Sequence, residues 1–124
     1  MDKAQAIHQF WSSFLKAYDE NTVPTGEDAP DFPYITYSLT EDNIGNNVIM
    51  HASLWYRSPS WSELETKVAE IAAAISRLDP IPVDGGYVWI KRSPSFAQRG
   101  KKDPTDDMIR SYHINITTEY LTEI

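Results

Sequence analysis

Apolar side chains recur at helical spacing in two stretches of the chain. A helix is predicted over about residues 3–18, because its apolar positions fall every three or four residues and so line one face. A second helix is predicted to begin at SWSE, in which Ser60 and Glu63 match a capping box, and to end at Asp79 and Pro80. The two apolar stripes consist of Ile7, Phe10, Trp11, Phe14, Leu15 and Tyr18 in the first helix, and of Leu64, Val68, Ile71, Ala72, Ile75 and Leu78 in the second.

Four other stretches alternate apolar and polar residues with a period of two, which is typical of β-strands. They are FPYITYSLT, VIMHASLWYR, YVWIKR and MIRSYHINITTEYL. The first two are separated by EDNIGNN, whose Asn and Gly residues suit a tight reversal, so we expect an antiparallel hairpin there. In the last strand Ile114 and Ile116 are expected to face a core and His113 to face solvent.

The order of these elements along the chain is α-β-β-α-β-β. We therefore predict an α+β fold in which a four-stranded, mainly antiparallel sheet carries two helices on one face. A chain of 124 residues is long enough for one ordinary hydrophobic core, and no internal repeat divides it. Residues 1–124 are thus expected to form a single domain.

Composition excludes several classes of function. The formal net charge of −7 disfavours nucleic acid or an anionic membrane as a partner for the surface as a whole. Cysteine is absent, which excludes disulfides, thiolate metal sites and a Cys nucleophile. The first twenty residues lack the unbroken apolar run of a signal peptide or a membrane span. We expect a cytosolic protein with no membrane contact and no direct recognition of nucleic acid.

Charge is distributed unevenly along the chain. Residues 19–42 contain seven acids and no Lys or Arg, whereas residues 91–102 contain five of the eleven Lys and Arg and no acid. Residues 93–107 show no apolar period, so they predict an extended loop, and structureless loops of this length are often functional. Loops of opposite charge attract each other between identical copies, and a contact between unlike surfaces forms a ring when the rotation closes.

The residues expected at such a subunit or tube interface are aromatic or charged. Phe96 would be an apolar anchor in the loop, and Trp55 would be exposed because it falls on the polar side of its strand. The charged candidates are Lys91, Arg92, Arg99, Lys101 and Lys102 on the basic segment, residues 91–102, and Glu27, Asp28 and Asp31 on the acidic segment, residues 27–31.

Residues that carry chemistry are few in this sequence. His51 and His113 fall on the polar sides of two strands and would form an acid and base pair if those strands were neighbours, but no nucleophile accompanies them. The sequence has no metal-ligand spacing and no Gly-rich phosphate loop. We therefore expect no catalytic residue, metal or cofactor. The alternative is a small ferredoxin-like enzyme or ligand-binding domain, with a pocket between helices and sheet lined by Tyr34, His51, Trp55 or His113.

Several segments together resemble one known family. They are the N-terminal amphipathic helix, the Pro-containing loop, FPYITYSL, VIMHASLWYRS, SWSELETKVAEIAAAI and the final YHINITTEYL, which cover nearly the whole chain. In order, size and texture these segments are similar to the tail terminator, or tail completion, proteins of long-tailed bacteriophages and prophages.

This resemblance implies a non-enzymatic structural protein of the virion. Such proteins assemble in the host cytoplasm as a ring, typically a hexamer, on the head-proximal end of the tail tube. The ring stops tube polymerisation and provides the surface that joins the head, so the implied partners are further copies of the chain, the tail tube protein and a head-completion or connector protein. By the same resemblance, residues 93–107 would contact a neighbouring subunit or the tube.

Overall fold

The structure is a computed structural model that describes residues 1–39, 48–101 and 103–122. These residues form two α-helices, six β-strands and one turn of 3-10 helix. Their bounds are α1 Lys3–Ser12, β1 Ala17–Asp19, the 3-10 helix Gly26–Asp28, β2 Tyr34–Tyr37, β3 Val48–Arg57, α2 Ser62–Arg77, β4 Ile81–Val83, β5 Gly86–Arg99 and β6 Ile109–Thr122. Neither helix combines the length and the apolar character that crossing a bilayer requires.

The six strands form one mixed sheet in the order β1-β2-β3-β6-β5-β4. β1 and β2 are parallel, and every other neighbouring pair is antiparallel. The fold is α+β, but the predicted four-stranded sheet in the order α-β-β-α-β-β is wrong. Instead the sheet curls into a half-barrel, so that α1 contacts β1 and β2 at one edge and β4 at the other. The edge strands β1 and β4 are three residues long, too short to show a period of two in the sequence.

Helix α1 ends well before the predicted boundary. A capping box fixes its start, because the Asp2 carboxylate accepts from the Gln5 N–H at 2.8 Å and the Gln5 side chain accepts from the Asp2 N–H at 2.9 Å. After Ser12 the chain leaves the helix and continues as β1, which pairs with β2. Phe14 and Leu15 still pack against the core. The apolar spacing therefore identified core residues correctly beyond the point where the helix stops.

Helix α2 has the predicted stripe but not the predicted cap. Its N-cap is Trp61, without a side-chain hydrogen bond, and the Ser60 hydroxyl accepts instead from the Ser62 N–H at 3.0 Å. The predicted capping box is therefore wrong. The stripe is confirmed, since Leu64, Ile71 and Ile75 are buried and Val68 and Leu78 pack against the same core.

Both helices cover the same face of the sheet. One set of alternating strand residues, which includes Ile114 and Ile116 as expected, is buried and packs with Ile7, Trp11, Leu64 and Ile71 of the helices. These strand residues are Ile35 and Tyr37 on β2, Met50, Ala52, Leu54 and Tyr56 on β3, Val88 and Ile90 on β5, and Ile114 and Ile116 on β6. The β2–β3 hairpin is confirmed by its antiparallel register, while the predicted turn EDNIGNN lies outside the described residues.

Neither α1 nor α2 covers the opposite side of the sheet, which we call the open face. By strand alternation the open face carries Tyr34 and Thr36 of β2, Ile49, His51, Ser53 and Trp55 of β3, Ser111, His113, Asn115, Thr117 and Glu119 of β6, and Tyr87, Trp89 and Lys91 of β5. Its polar and aromatic side chains are the remaining candidates for function.

Candidate functional site

The first half of the segment predicted as a loop over residues 93–107 belongs to β5. The register between β5 and β6 shifts between Arg92 and Ala97, which marks a β-bulge. Within the bulge Ser93 is buried and its hydroxyl lies 2.8 Å from the Thr117 hydroxyl, while the Asn115 amide donates to the Ser95 carbonyl at 2.9 Å. The connection between β5 and β6 is therefore residues 100–108.

Two of the four described basic side chains of the basic segment have acidic partners within the same subunit. Lys91 forms an ion pair with Glu119 at 3.2 Å and lies 4.8 Å from the centre of the Trp89 ring. Arg99 forms an ion pair with Glu65 of α2 and stacks over the Trp61 ring. These two cations join neighbouring elements of one copy, so they are not free for a neighbour.

The other interface candidates of the basic segment have different surroundings. Arg92 is exposed and lies over the Phe96 ring at 5.8 Å. Phe96 was expected as an anchor at a loop tip, but it is half-buried in the bulge and packs against the core. Lys101 is exposed. Neither Arg92 nor Lys101 has an ion-pair partner among the described residues, and Lys102 lies outside them.

The acidic segment lies before β2, at the end of the sheet where β3 finishes. Glu27 and Asp28 belong to the 3-10 helix, and Asp31 follows it. All three carboxylates are exposed and have no ion-pair partner in the part of the chain that the structure describes. These carboxylates precede β2, whereas Arg92 lies on β5 and Lys101 follows it, and β3 and β6 stand between β2 and β5 in the sheet.

A cavity of about 580 Å³ opens on the open face between the β5–β6 connection and strands β3 and β6. Its apolar walls are Trp55, Pro104 and Ile109. The polar side of the lining includes Lys101, Asp103, Ser111 and His113, with Gly100 between them. A volume of this size is typical of ligand pockets in proteins.

Two polar atoms converge above Gly100. The Gly100 N–H donates to the Ser111 carbonyl at 2.9 Å, which holds the start of the connection against β6. A Cβ added at Gly100 would lie 2.0 Å from Ser111 Oγ and 3.0 Å from His113 Nε2. Ser111 is only 4% exposed, yet its hydroxyl has no hydrogen-bond partner among the described residues. Glycine at this position leaves these two groups accessible from the cavity.

The two strand histidines share the open face but have separate partners. His113 Nδ1 lies 2.8 Å from the Ser53 hydroxyl, so its Nε2 is left for the cavity. His51 Nε2 lies 2.9 Å from a Glu20 carboxylate oxygen. In the register of β3 and β6, Ser53 and not His51 stands opposite His113. The described contacts therefore do not join the histidines as the acid and base pair that the sequence suggested.

The alternative pocket between helices and sheet was assigned to the wrong face. Tyr34, His51, Trp55 and His113 all lie on the open face, whereas the space between helices and sheet is filled by the core. Strand alternation already implied this for His51 and Trp55, since both alternate with buried neighbours.

Trp55, predicted as exposed, is a half-buried wall of the cavity. Its ring stacks on Tyr34 with centroids 6.3 Å apart, and its Nε1–H donates to the Thr36 hydroxyl at 2.9 Å. Tyr34 in turn contacts Phe32 at 5.4 Å and Tyr18 at 6.2 Å between ring centres. This aromatic row holds the indole in one orientation against the cavity.

Hydrogen bonds fix the connection that closes the cavity. Asp103 Oδ1 accepts from the N–H groups of Thr105 at 2.8 Å and Asp106 at 2.9 Å. These bonds, that from Thr105 first, lower the pKa of the Asp103 carboxyl. The pKa of the Asp106 carboxyl is also lowered, first by a hydrogen bond from the Met108 N–H and then by Arg57. Arg57 Nε lies 2.9 Å from Asp106 Oδ2. Asp103 and Pro104 of this connection line the cavity, which only the tertiary structure shows.

Neither a metal-binding group among the described residues nor a matching protein family helps to assign this site. Within residues 1–39, 48–101 and 103–122, no three His, Asp or Glu side chains are grouped so as to hold a metal ion. No protein-family model and no curated protein matches this chain.

Proposed function

We propose that this protein is a non-enzymatic structural protein whose copies assemble into a ring through unlike surfaces, as in the phage tail terminators that its sequence resembles. One observation carries the proposal. The carboxylates of the acidic segment, and the cations Arg92 and Lys101, are exposed on separate parts of the surface without ion-pair partners among the described residues.

The separation of these charges favours contact between copies over contact within one. The three carboxylates precede β2 and the two cations lie on or just after β5, and no ion pair joins the two groups among the described residues. Between subunits they attract, and because the two surfaces differ, the contact repeats from copy to copy until a ring closes. Charge of this kind steers association and sets the register of the contact more than it adds affinity.

An apolar patch on the open face supports a protein partner. Ile49 is 67% exposed, and Tyr87 and Trp89 are about two-fifths exposed. Thr117 of β6 stands opposite Ile49 on β3 and Lys91 on β5, so Ile49 lies across one strand from Lys91. Trp89 and Tyr87 follow on the same face of β5, two and four residues from Lys91. Exposed apolar side chains grouped in this way mark surfaces that bind other proteins. We assign the patch to contact with the tail tube or with the next subunit.

In this proposal the ring sits on the head-proximal end of a phage or prophage tail. It would end tube polymerisation and offer its other side to a head-completion or connector protein. The hexameric ring and these partners follow from the family resemblance, and the charged surfaces are this chain's own means of assembly.

Exchange of charge between two variants tests the contact. One variant carries Arg92→Glu and Lys101→Glu, and the other carries Glu27→Lys, Asp28→Lys and Asp31→Lys. Each variant alone should form fewer rings than the unaltered protein at low salt, because both of its surfaces then have the same sign. Mixed in equal amounts, the two should form alternating rings, since each altered surface meets its complement. Sedimentation velocity and electron microscopy measure both results.

A control removes unspecific effects of charge. Lys67→Glu changes a charge of α2 that belongs to neither proposed surface, and it should leave ring formation unchanged. Rings that form equally in all variants at low salt would show that these charges are outside the contact. An unaltered protein that remains monomeric at high concentration and does not bind tail tubes would refute the proposed function.

A further inference from the structure

We propose that the cavity above Gly100 is a binding site for a single carboxylate carried on an apolar or aromatic group. This site is separate from the charged surfaces of the proposed ring, apart from Lys101, which lines it. It also lies on the face opposite to the helices.

Three donors define the polar end of the site. The Ser111 hydroxyl has no hydrogen-bond partner among the described residues, and Ser111 lines the cavity, so this hydroxyl can donate to a ligand there. His113 Nε2 converges on the same space above Gly100. When the Ser53 hydroxyl donates to Nδ1, the proton of the neutral imidazole lies on Nε2, which then donates into the cavity. The Lys101 ammonium supplies the third donor.

The charges of the lining favour a monoanion. Lys101 and Arg99 contribute positive charges, of which that of Arg99 is paired with Glu65. Asp103 contributes a negative charge, because backbone N–H groups lower the pKa of its carboxyl. A phosphate dianion would face greater repulsion from Asp103 than a carboxylate would. Two oxygens of a carboxylate also match the paired donors of Ser111 and His113.

The apolar end of the site suits a ring or a branched aliphatic group. Trp55, Pro104 and Ile109 form its walls, and the Trp55 indole is fixed by its bond to Thr36 and its stacking on Tyr34. The volume of about 580 Å³ holds a group the size of an aromatic side chain together with its carboxylate.

The carboxylate has two sources with the same chemistry. It is either a small free carboxylic acid or a carboxylate side chain of a second copy. In the second case Asp31 and Phe32 are the fitting segment, because they are consecutive and exposed and place a carboxylate beside an aromatic ring. This second source rests on the proposed function, whereas the first does not.

Titration of the protein with phenylacetate, and separately with N-acetyl-Asp-Phe-amide, tests the site. The probes should shift the ¹⁵N resonance of His113 Nε2, assigned with the variant His113→Gln, with a dissociation constant of about 1 mM for a small site of this kind. Ser111→Ala and Lys101→Gln should each weaken binding about tenfold, the loss expected for one hydrogen bond to a charged group. The matched controls Ser76→Ala and Lys67→Gln on α2 should not change it.

The outcomes separate the inference from the proposed function. Phenylacetate that binds a strictly monomeric protein supports the site and refutes the ring. If Asp31→Asn weakens ring formation and phenylacetate competes with assembly, the second copy is the source. The inference is overturned if neither probe saturates, if inorganic phosphate binds as tightly as phenylacetate, or if Ser111→Ala and Lys101→Gln leave binding unchanged.

Discussion

Replacement of Gly100 by Ala should destabilise the protein through one identified contact. The added methyl group would lie 2.0 Å from Ser111 Oγ, far inside van der Waals contact. Gly100 does not have a positive φ, so the backbone accepts Ala without strain. The Gly100 N–H bond to the Ser111 carbonyl holds the start of the connection against β6, and the nearly buried Ser111 side chain has little space in which to turn. The loss of stability therefore comes from the steric clash between the added methyl group and the Ser111 hydroxyl.

The size of the effect follows from two opposing contributions. Overpacking of this kind costs about 1–3 kcal/mol. Ala in place of Gly also restricts the unfolded chain, which restores about 0.4–1 kcal/mol. We expect a net loss of roughly 1–2 kcal/mol in the free energy of unfolding from the difference of these terms. In a Ser111→Ala background the nearest remaining atoms are His113 Nε2 at 3.0 Å and the residue 111 Cβ at 3.2 Å, so the same change should be neutral within about 0.5 kcal/mol.

Urea denaturation followed by far-UV circular dichroism measures the double-mutant cycle. The unaltered protein, Gly100→Ala, Ser111→Ala and the double variant give a coupling free energy, which we expect to be about 1 kcal/mol or more. Gly26→Ala is the control, because Gly26 has a φ of +67° and no atom near its added Cβ. It should cost about 1–2 kcal/mol from backbone conformation, regardless of the residue at position 111.

A coupling near zero would refute this reasoning. If Gly100→Ala costs the same with and without the Ser111 hydroxyl, the connection does not lie against Ser111, and the site above Gly100 loses its polar end. If the coupling is found, Gly100→Ala should also abolish phenylacetate binding, because the methyl group fills the space on which the two donors converge.

Three further predictions concern the sheet and its connection. Gly86→Ala should cost more than Gly100→Ala, about 3 kcal/mol by urea denaturation, because its Cβ would meet the Leu121 carbonyl oxygen, a backbone atom, at 2.0 Å. Ile114→Ala should cost about 3–4 kcal/mol, since this side chain is fully buried in the core. Folding lowers the pKa of Asp103 from 3.8, so its ionised carboxylate stabilises the fold above pH 3.8, and this stabilisation is lost as the pH falls through the folded pKa. In Asp103→Asn, the free energy of unfolding should therefore decrease less steeply at acid pH than in the unaltered protein.

Periodicity in the sequence was sufficient to assign the core face of the long elements. The stripe of α2 and the alternation of β3 and β6 predicted the buried positions because each element extends over several repeats of its pattern. The same alternation placed His113 and Trp55 on the side away from the helices. The apolar period of a strand does not show which strand lies beside it. The proximity of Ser53 to His113 therefore became known only from the register between β3 and β6.

The number of cations in the basic segment overstates how many of them are available to bind a partner. Five cations between residues 91 and 102 favoured a contact between copies, but Lys91 and Arg99 pair with Glu119 and Glu65. Those acids are 28 and 34 residues away along the chain, so no local pattern reveals them. Only two of the described cations of this segment, Arg92 and Lys101, remain for a contact between copies.

The sequence by itself determined which faces of the long helix and strands are buried, because burial of apolar side chains acts on each element with its own period. The tertiary structure alone decided where α1 stops, that β1 and β4 join the sheet, and that Gly100, Ser111 and His113 meet at a cavity. These features depend on hydrogen bonds and close contacts between segments far apart in the chain. Their energies arise only when the whole sheet has formed, so no stretch of sequence contains them.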